Sequence, residues 1–471
     1  MDRVMRAAVA GLPVMLVLAL IILARSMPGY FNNQEYLAGF IVVQILALSL
    51  WFYDRFFFPF LMIAFFWAGM NVPMSETWTM GRWIVLGIGA IVGFARAMRV
   101  GVQRYQPFHL AAFFCVGSAL VSAMISVLPQ FALMKACSLL ILFLYAASGA
   151  RLVLRNPDRF FRGLLLACEF SVYGSAFAYL VLDMEIWGNG NSLGAVEGVV
   201  AAPLLLWGAL VASNRKLRLR RAVGCVGALY LVYFSVSRAS MLATALTILV
   251  LLISLRRNKL IVQGLFGLGC VIAITAIVAP RHFDDLKTSL VEGVIYKGHE
   301  DQGVLGSRLA PWQYAVEVIG ENPFFGSGFG TSTSGDKPFG EAGKFSSTAS
   351  TNREHGSSYL AITEWVGLLG IVPFMALLVF AAQAVFRVLA YLRRTGDVSH
   401  YSVPLMLVVL AGLLHAGFED WLFAVGYYLT VLFWVMAFLL MDVLPDSTGE
   451  HTAFVHGMRF RYLTEPVASH R

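Results

Sequence analysis

Charge is what this sequence has least of: 13% of its 471 residues are Asp, Glu, Lys or Arg, while 59% are hydrophobic. Soluble domains carry about a quarter charged and about half apolar residues. With a mean hydropathy of +0.73, the chain is not a string of soluble domains, and its length measures membrane spans rather than domain count. It also lacks a Walker loop, a glycine-rich dinucleotide fingerprint on a strand, an HExxH helix and a paired-cysteine metal motif, so the usual signatures of nucleotide and zinc chemistry are missing. Its five cysteines, Cys115, Cys137, Cys168, Cys225 and Cys270, fall inside apolar segments without metal-ligand spacing, and no disulfide framework is expected. There is no internal repeat of fixed period.

What fills the sequence instead is a series of apolar runs, near 7–25, 36–53, 56–72, 82–98, 108–128, 131–150, 163–182, 195–212, 222–236, 239–255, 260–279, 358–390, 402–416 and 421–441. At about 20 residues per span they predict an all-α polytopic membrane protein with about 12–14 transmembrane helices. The first run has the basic-then-apolar layout of a signal peptide but no small-residue cleavage site, and reads as the first helix. The organisation expected is a block of transmembrane helices over 1–280, a polar loop over 281–357, a second helical block over 358–444 and a short tail over 445–471. The net charge of +8 does not point to nucleic acid, because the basic residues sit in short clusters between apolar runs. Arg96, Arg99, Arg151, Arg155, Arg215, Lys216, Arg256, Arg393 and Arg394 share one side, whereas the opposite short loops hold Arg25, Arg82, Lys135 and Arg238. The positive-inside bias then puts both termini in the cytoplasm and the polar loop outside.

Chemistry is confined to that outer side. Ser307 is placed to cap a helix with Pro311 in its first turn and Trp312, Ala315, Val316 and Ile319 at helical spacing, ended by Asn322-Pro323. Gly326, Gly328 and Gly330, followed by Thr331-Ser332-Thr333-Ser334-Gly335, predict a flexible flap outside any packed core. Arg238, between two apolar runs and flanked by Ser237 and Ser240, is either an interfacial arginine that snorkels or an anion ligand, since guanidinium matches phosphate oxygens in a bidentate manner. Arg308 is a solvated loop residue or a second cation of the same site. His355 is an ordinary loop histidine or a general base, with Glu354 beside it to orient the ring. Glu419 and Asp420, between the last two spans, are acceptor contacts, a base or plain loop charges. Glu169 and Glu364 lie within apolar runs, where acids call for a function or a partner, and the sequence names no partner for either. A site facing outward has no access to cytoplasmic nucleotides, so group transfer there needs a donor already activated and carried by lipid. A site without a metal must neutralise the charge growing on a leaving diphosphate with fixed cations, and two arginines share this outward address.

Ser307-Arg308 followed by Trp312, then Asn322-Pro323-Phe324-Phe325-Gly326-Ser327-Gly328-Phe329-Gly330, and Glu354-His355 through Tyr359-Leu360 to Glu364 and Gly367-Leu368-Leu369-Gly370 form an ordered series. It resembles the O-antigen ligase and polymerase superfamily, polytopic bacterial glycosyltransferases of GT-C type with a large periplasmic loop. The resemblance covers roughly Arg238 to Gly370 and reaches the N-terminal half only through topology. It implies an inner-membrane, metal-independent inverting transferase. Arg238 and Arg308 would bind the diphosphate of an undecaprenyl-diphosphate-linked glycan, and His355 would act at the acceptor hydroxyl. The acceptor implied is lipid A-core, as for a ligase, or lipid-linked repeat units, as for an O-antigen or exopolysaccharide polymerase. A transporter or flippase is the reading from another class; it predicts matched, interrupted helix pairs, and none is visible. The family often has Asn after this histidine, whereas Gly356 stands here, so a contact made by that asparagine has no counterpart.

Overall fold

The computed structural model describes residues 34–100, 106–257, 306–331 and 355–445 without interruption, and scattered positions within 21–26 and 259–273. Apart from those scattered positions, the runs expected near 7–25 and 260–279, the tail beyond 445, and Glu354 lie outside the described residues. The described chain is all-α. Its helices are α1 (Gln34–Phe52), α2 (Phe57–Gly69), α3 (Ser75–Val100), α4 (Pro107–Ile125), α5 (Pro129–Ala147), α6 (Pro157–Leu180), α7 (Gly190–Val211), α8 (Arg215–Phe234), α9 (Arg238–Ser254), α10 (Gly306–Glu321), α11 (Ser358–Thr395), α12 (Ser402–His415) and α13 (Tyr428–Asp442).

Six of them, α3 to α7 and α11, are long and apolar enough to cross a membrane, and α1 with α2, bent by 119° at their junction, make a seventh if counted as one span. This is a polytopic membrane architecture. The helices α9, α12 and α13 have 17, 14 and 15 residues, a rise of about 21–26 Å against a hydrocarbon core of about 30 Å. Helix starts follow local chemistry. Pro107, Pro129 and Pro157 stand in first turns, where a missing N–H costs nothing. The side chains of Asn156 and Asn214 accept from the backbone N–H of Arg159 and Lys216, satisfying donors that a helix start leaves open. α13 is buried from Tyr428 to Met441, forming the centre around which the other helices stand.

The bundle has two chemically different ends. At one, Arg96 and Arg155 share the carboxylate of Asp54, Arg151 holds Asp442 through two bonds of 2.6 Å, and the Tyr401 hydroxyl donates to Asp158 at 2.5 Å. The basic starts of α6 and α8 and the basic end of α11 run to this side. At the other end stand the starts of α9 and α11, the end of α12 and the link 416–427, tied by bonds from Ser358 N–H to the carbonyls of Ala416 (2.9 Å) and Glu419 (3.0 Å).

One expectation is overturned. From Gly326 to Thr331 the glycine-rich stretch is not a flap: Ser327, Phe329 and Thr331 are buried, and the turn is driven into a break in α11; its continuation over 332–335 lies outside the described residues. At Gly367 the helix passes through φ +69°, ψ −179°, leaving carbonyls and amides unpaired. Ser327 and Gly328 N–H donate to the carbonyls of Glu364 and Trp365 (2.9 and 3.1 Å), and Leu368 and Leu369 N–H donate to those of Pro323 and Phe324 (2.7 and 3.1 Å). Ser122 and Ser118 on α4 bond the carbonyls of Trp365 and Gly370 at 2.5 and 2.7 Å. The glycines are there for shape: Gly326, Gly328 and Gly330 all have positive φ, which lets backbone pair with backbone where a side chain would stand. Flexibility read from composition gives way because the broken helix supplies partners for the Ser327 and Gly328 amides and for the Pro323 and Phe324 carbonyls.

Candidate active site

Four elements deliver the expected residues to the second end. Arg238 is the first residue of α9, and Arg308 lies in the first turn of α10. His355 stands three residues before the start of α11, and Glu419 and Asp420 occupy the link between α12 and α13. Helix starts carry partial positive charge, so those of α9, α10 and α11 add to the cations at the same end.

Arg308 pairs with Glu419, both sides being mostly buried. Its side chain also lies against Gly356: a Cβ placed there would stand 3.0 Å from Arg308 Cδ and 3.3 Å from Trp312 Nε1. The Trp312 indole donates to the Gly356 carbonyl at 3.1 Å. Gly356, at φ +65°, thus has a local use: it makes room for the guanidinium beside His355. Arg238 and Arg308 are close enough for their charges to repel. The structure therefore brings Arg238, Arg308, His355, Glu419 and Asp420 to one end of one bundle, with Ser237 beside Arg238.

His355 is fully buried, and both ring nitrogens face carboxylates: Nδ1 stands 3.1 Å from Asp420 Oδ2 and Nε2 3.2 Å from Glu364 Oε1. Its backbone N–H also donates to Asp420 Oδ2 at 2.8 Å. Burial works against a charged ring, but bonds and charges of Asp420 and Glu364 outweigh it and hold the His355 pKa above the usual histidine value. Conversely, burial alone would raise Asp420, yet its bonds to His355 bring it below the usual carboxylate value. The ring is thus held between two acids, which favour its protonated form. Glu364, which the sequence left without a partner, has one in His355. Glu169 is also paired, with Arg220 at 2.9 Å.

A second polar chain supports Arg238. Trp421 Nε1–H donates to His415 Nδ1 at 2.8 Å, which leaves the proton of a neutral ring on Nε2; that nitrogen faces Ser240 Oγ at 3.0 Å, and Ser240 Oγ stands 2.8 Å from Ser237 Oγ. The chain fixes the first turn of α9, where Arg238 sits. Sequence reading missed this role of His415, since Ser240 lies 175 positions away in the chain. The available signal was the cost of such a residue in hydrocarbon.

Comparison with known proteins adds one match: residues 223–375 fit the family model described as O-antigen ligase. That stretch, roughly a third of the chain, includes Arg238, Arg308, His355 and Glu364 and stops short of Glu419 and Asp420. No curated protein matches the chain. Over the matched stretch the chain is similar to O-antigen ligases, and this likeness together with the membrane-helix architecture supports a membrane enzyme of the general O-antigen ligase or polymerase type.

Proposed function

We propose that this protein transfers a glycan from undecaprenyl diphosphate to a hydroxyl of a lipid A-core acceptor on the periplasmic face of the bacterial inner membrane. The observation that carries this reading is the gathering of Arg238, Arg308 and His355 at the bundle end opposite the basic clusters. Positive charge inside puts that end outside, and with the spans expected at 7–25 and 260–279 the helix count is 12–14.

In the reaction, the acceptor oxygen attacks the anomeric carbon and forms the new glycosidic bond. The bond from that carbon to the diphosphate oxygen breaks, and the lipid diphosphate leaves with the electron pair. Arg238 and Arg308 bind the diphosphate and meet the charge growing on it, without a metal. Glu419 pairs with Arg308; a diphosphate that binds the guanidinium takes its place, and the released carboxylate accepts the acceptor's proton. His355, whose protonated form is favoured by Asp420 and Glu364 on either side of the ring, acts beside the acceptor hydroxyl.

Purified protein supplied with the lipid-linked glycan and either lipid A-core or further lipid-linked repeats tests the acceptor: product with lipid A-core alone supports ligation, and product only with repeats makes it a polymerase. Arg238→Ala and Arg308→Ala each lower the rate by at least about 100-fold, and Lys at either position rescues only partly because a point charge lacks the guanidinium fork. Near-normal rates in either alanine variant reject its role. Glu419→Gln lowers kcat while donor binding persists; loss of donor binding alone assigns Glu419 to the wrong step.

A further inference from the structure

Away from this site, a cavity of about 1250 Å³ lies between α2 and α6, floored by Val196, Val200 and Leu432. Its α6 wall is made by missing side chains. Gly163, Ala167 and Gly174 line it at spacings that share one helix face, and a Cβ on Gly163 or Gly174 would meet nothing within 4 Å. The groove follows α2, whose 13 residues span about 20 Å, more than the roughly 15 Å that one leaflet contributes to the hydrocarbon core. Ile63, Trp67 and Phe170 on its edges are exposed, so it opens sideways.

The rim at the basic end carries exposed Arg55, Arg155 and Arg159. The carboxylate beside them, Asp54, is already shared by Arg96 and Arg155. Arg55 lies over the rings of Tyr53 and Phe56, and among the described residues neither Arg55 nor Arg159 has a carboxylate in ion-pair reach. An apolar trough as long as an acyl chain therefore ends, among the described residues, in two guanidinium groups without an ion-pair carboxylate.

We propose that this groove binds one anionic phospholipid, its acyl chains along α2 and α6 and its phosphate held by Arg55 and Arg159. Guanidinium is the side chain suited to phosphate, and anionic headgroups concentrate where membrane proteins present clustered arginine. A zwitterionic phospholipid offers the same chains without net charge, so selectivity rests on the two arginines and occupancy on the glycine-lined trough.

The test uses the full chain in mild detergent with equal amounts of phosphatidylglycerol and phosphatidylethanolamine, retained lipid being counted by native mass spectrometry. The wild type keeps phosphatidylglycerol in preference by about tenfold or more, and the Arg55→Gln/Arg159→Gln variant loses that preference. Arg155 stays, so its ion pair with Asp54 survives. Gly174→Phe fills the trough with every arginine in place and lowers retention of both lipids. Equal retention by the wild type, a preference that survives the double variant, or unchanged retention in Gly174→Phe overturns the proposal.

Discussion

At the scale of single residues, the pair His355 and Asp420 sets a pH window. A histidine raised above its usual value contributes stability fully below about 6.5, and the contribution fades as pH rises through its folded pKa; a depressed aspartate contributes above about 3.9 and fades as pH falls through its own. Both directions hold here, so the pair contributes most between about pH 4 and 6.5. Asp420→Asn lowers stability in that window by on the order of 3 kcal/mol, and the difference shrinks at higher pH as His355 loses its proton in the wild type. Thermal unfolding in detergent across pH measures this, and a gap that stays constant refutes it. The sequence singled out His355 and Asp420 as polar residues on the outer side. It was silent on their contact, because 65 positions separate them and only the fold of α11 against the 416–427 link closes that distance.

At the scale of elements, the break in α11 carries the main prediction. A Cβ on Gly367 would stand 2.5 Å from Gly326 N, Phe324 C and Phe325 N, and its φ of +69° is strained for any other residue. Gly367→Ala therefore expels the inserted turn and lowers stability by about 3 kcal/mol, with transfer activity falling because Glu364, three residues earlier, loses its place at His355. Normal melting and rate in this variant sink the argument. Ser122→Ala, which removes one bond to the Trp365 carbonyl, costs about 1 kcal/mol by the same measurement. Helix existence was legible throughout: each described run is helical, with ends displaced by about seven residues or fewer. The glycine-rich turn was misread because glycine spacing tells the same story for a free flap and for backbone docked into a broken helix; the partners that distinguish them lie some forty residues away.

At the scale of the whole molecule, charge sorts the two ends, and accessibility tests the orientation. In a protein whose five cysteines are replaced, Glu185→Cys at the site end reacts with an impermeant thiol reagent in intact cells. Arg394→Cys at the basic end reacts only after permeabilisation; both positions are exposed. The reverse labelling inverts the topology and removes the periplasmic site. Hydropathy and clustered arginine were enough, from the sequence alone, to establish a membrane-helix protein and to gather its candidate cations on one side, because transfer of apolar length into lipid and retention of positive charge inside act on each segment independently. Which apolar face meets lipid and which meets protein was beyond that reach: hydrocarbon is as apolar as leucine, so α13, buried on all sides, and α6, with Phe170 turned outward, read alike. Only the packed bundle decided that, and with it the clamp on His355, the plug in α11 and the groove along α2.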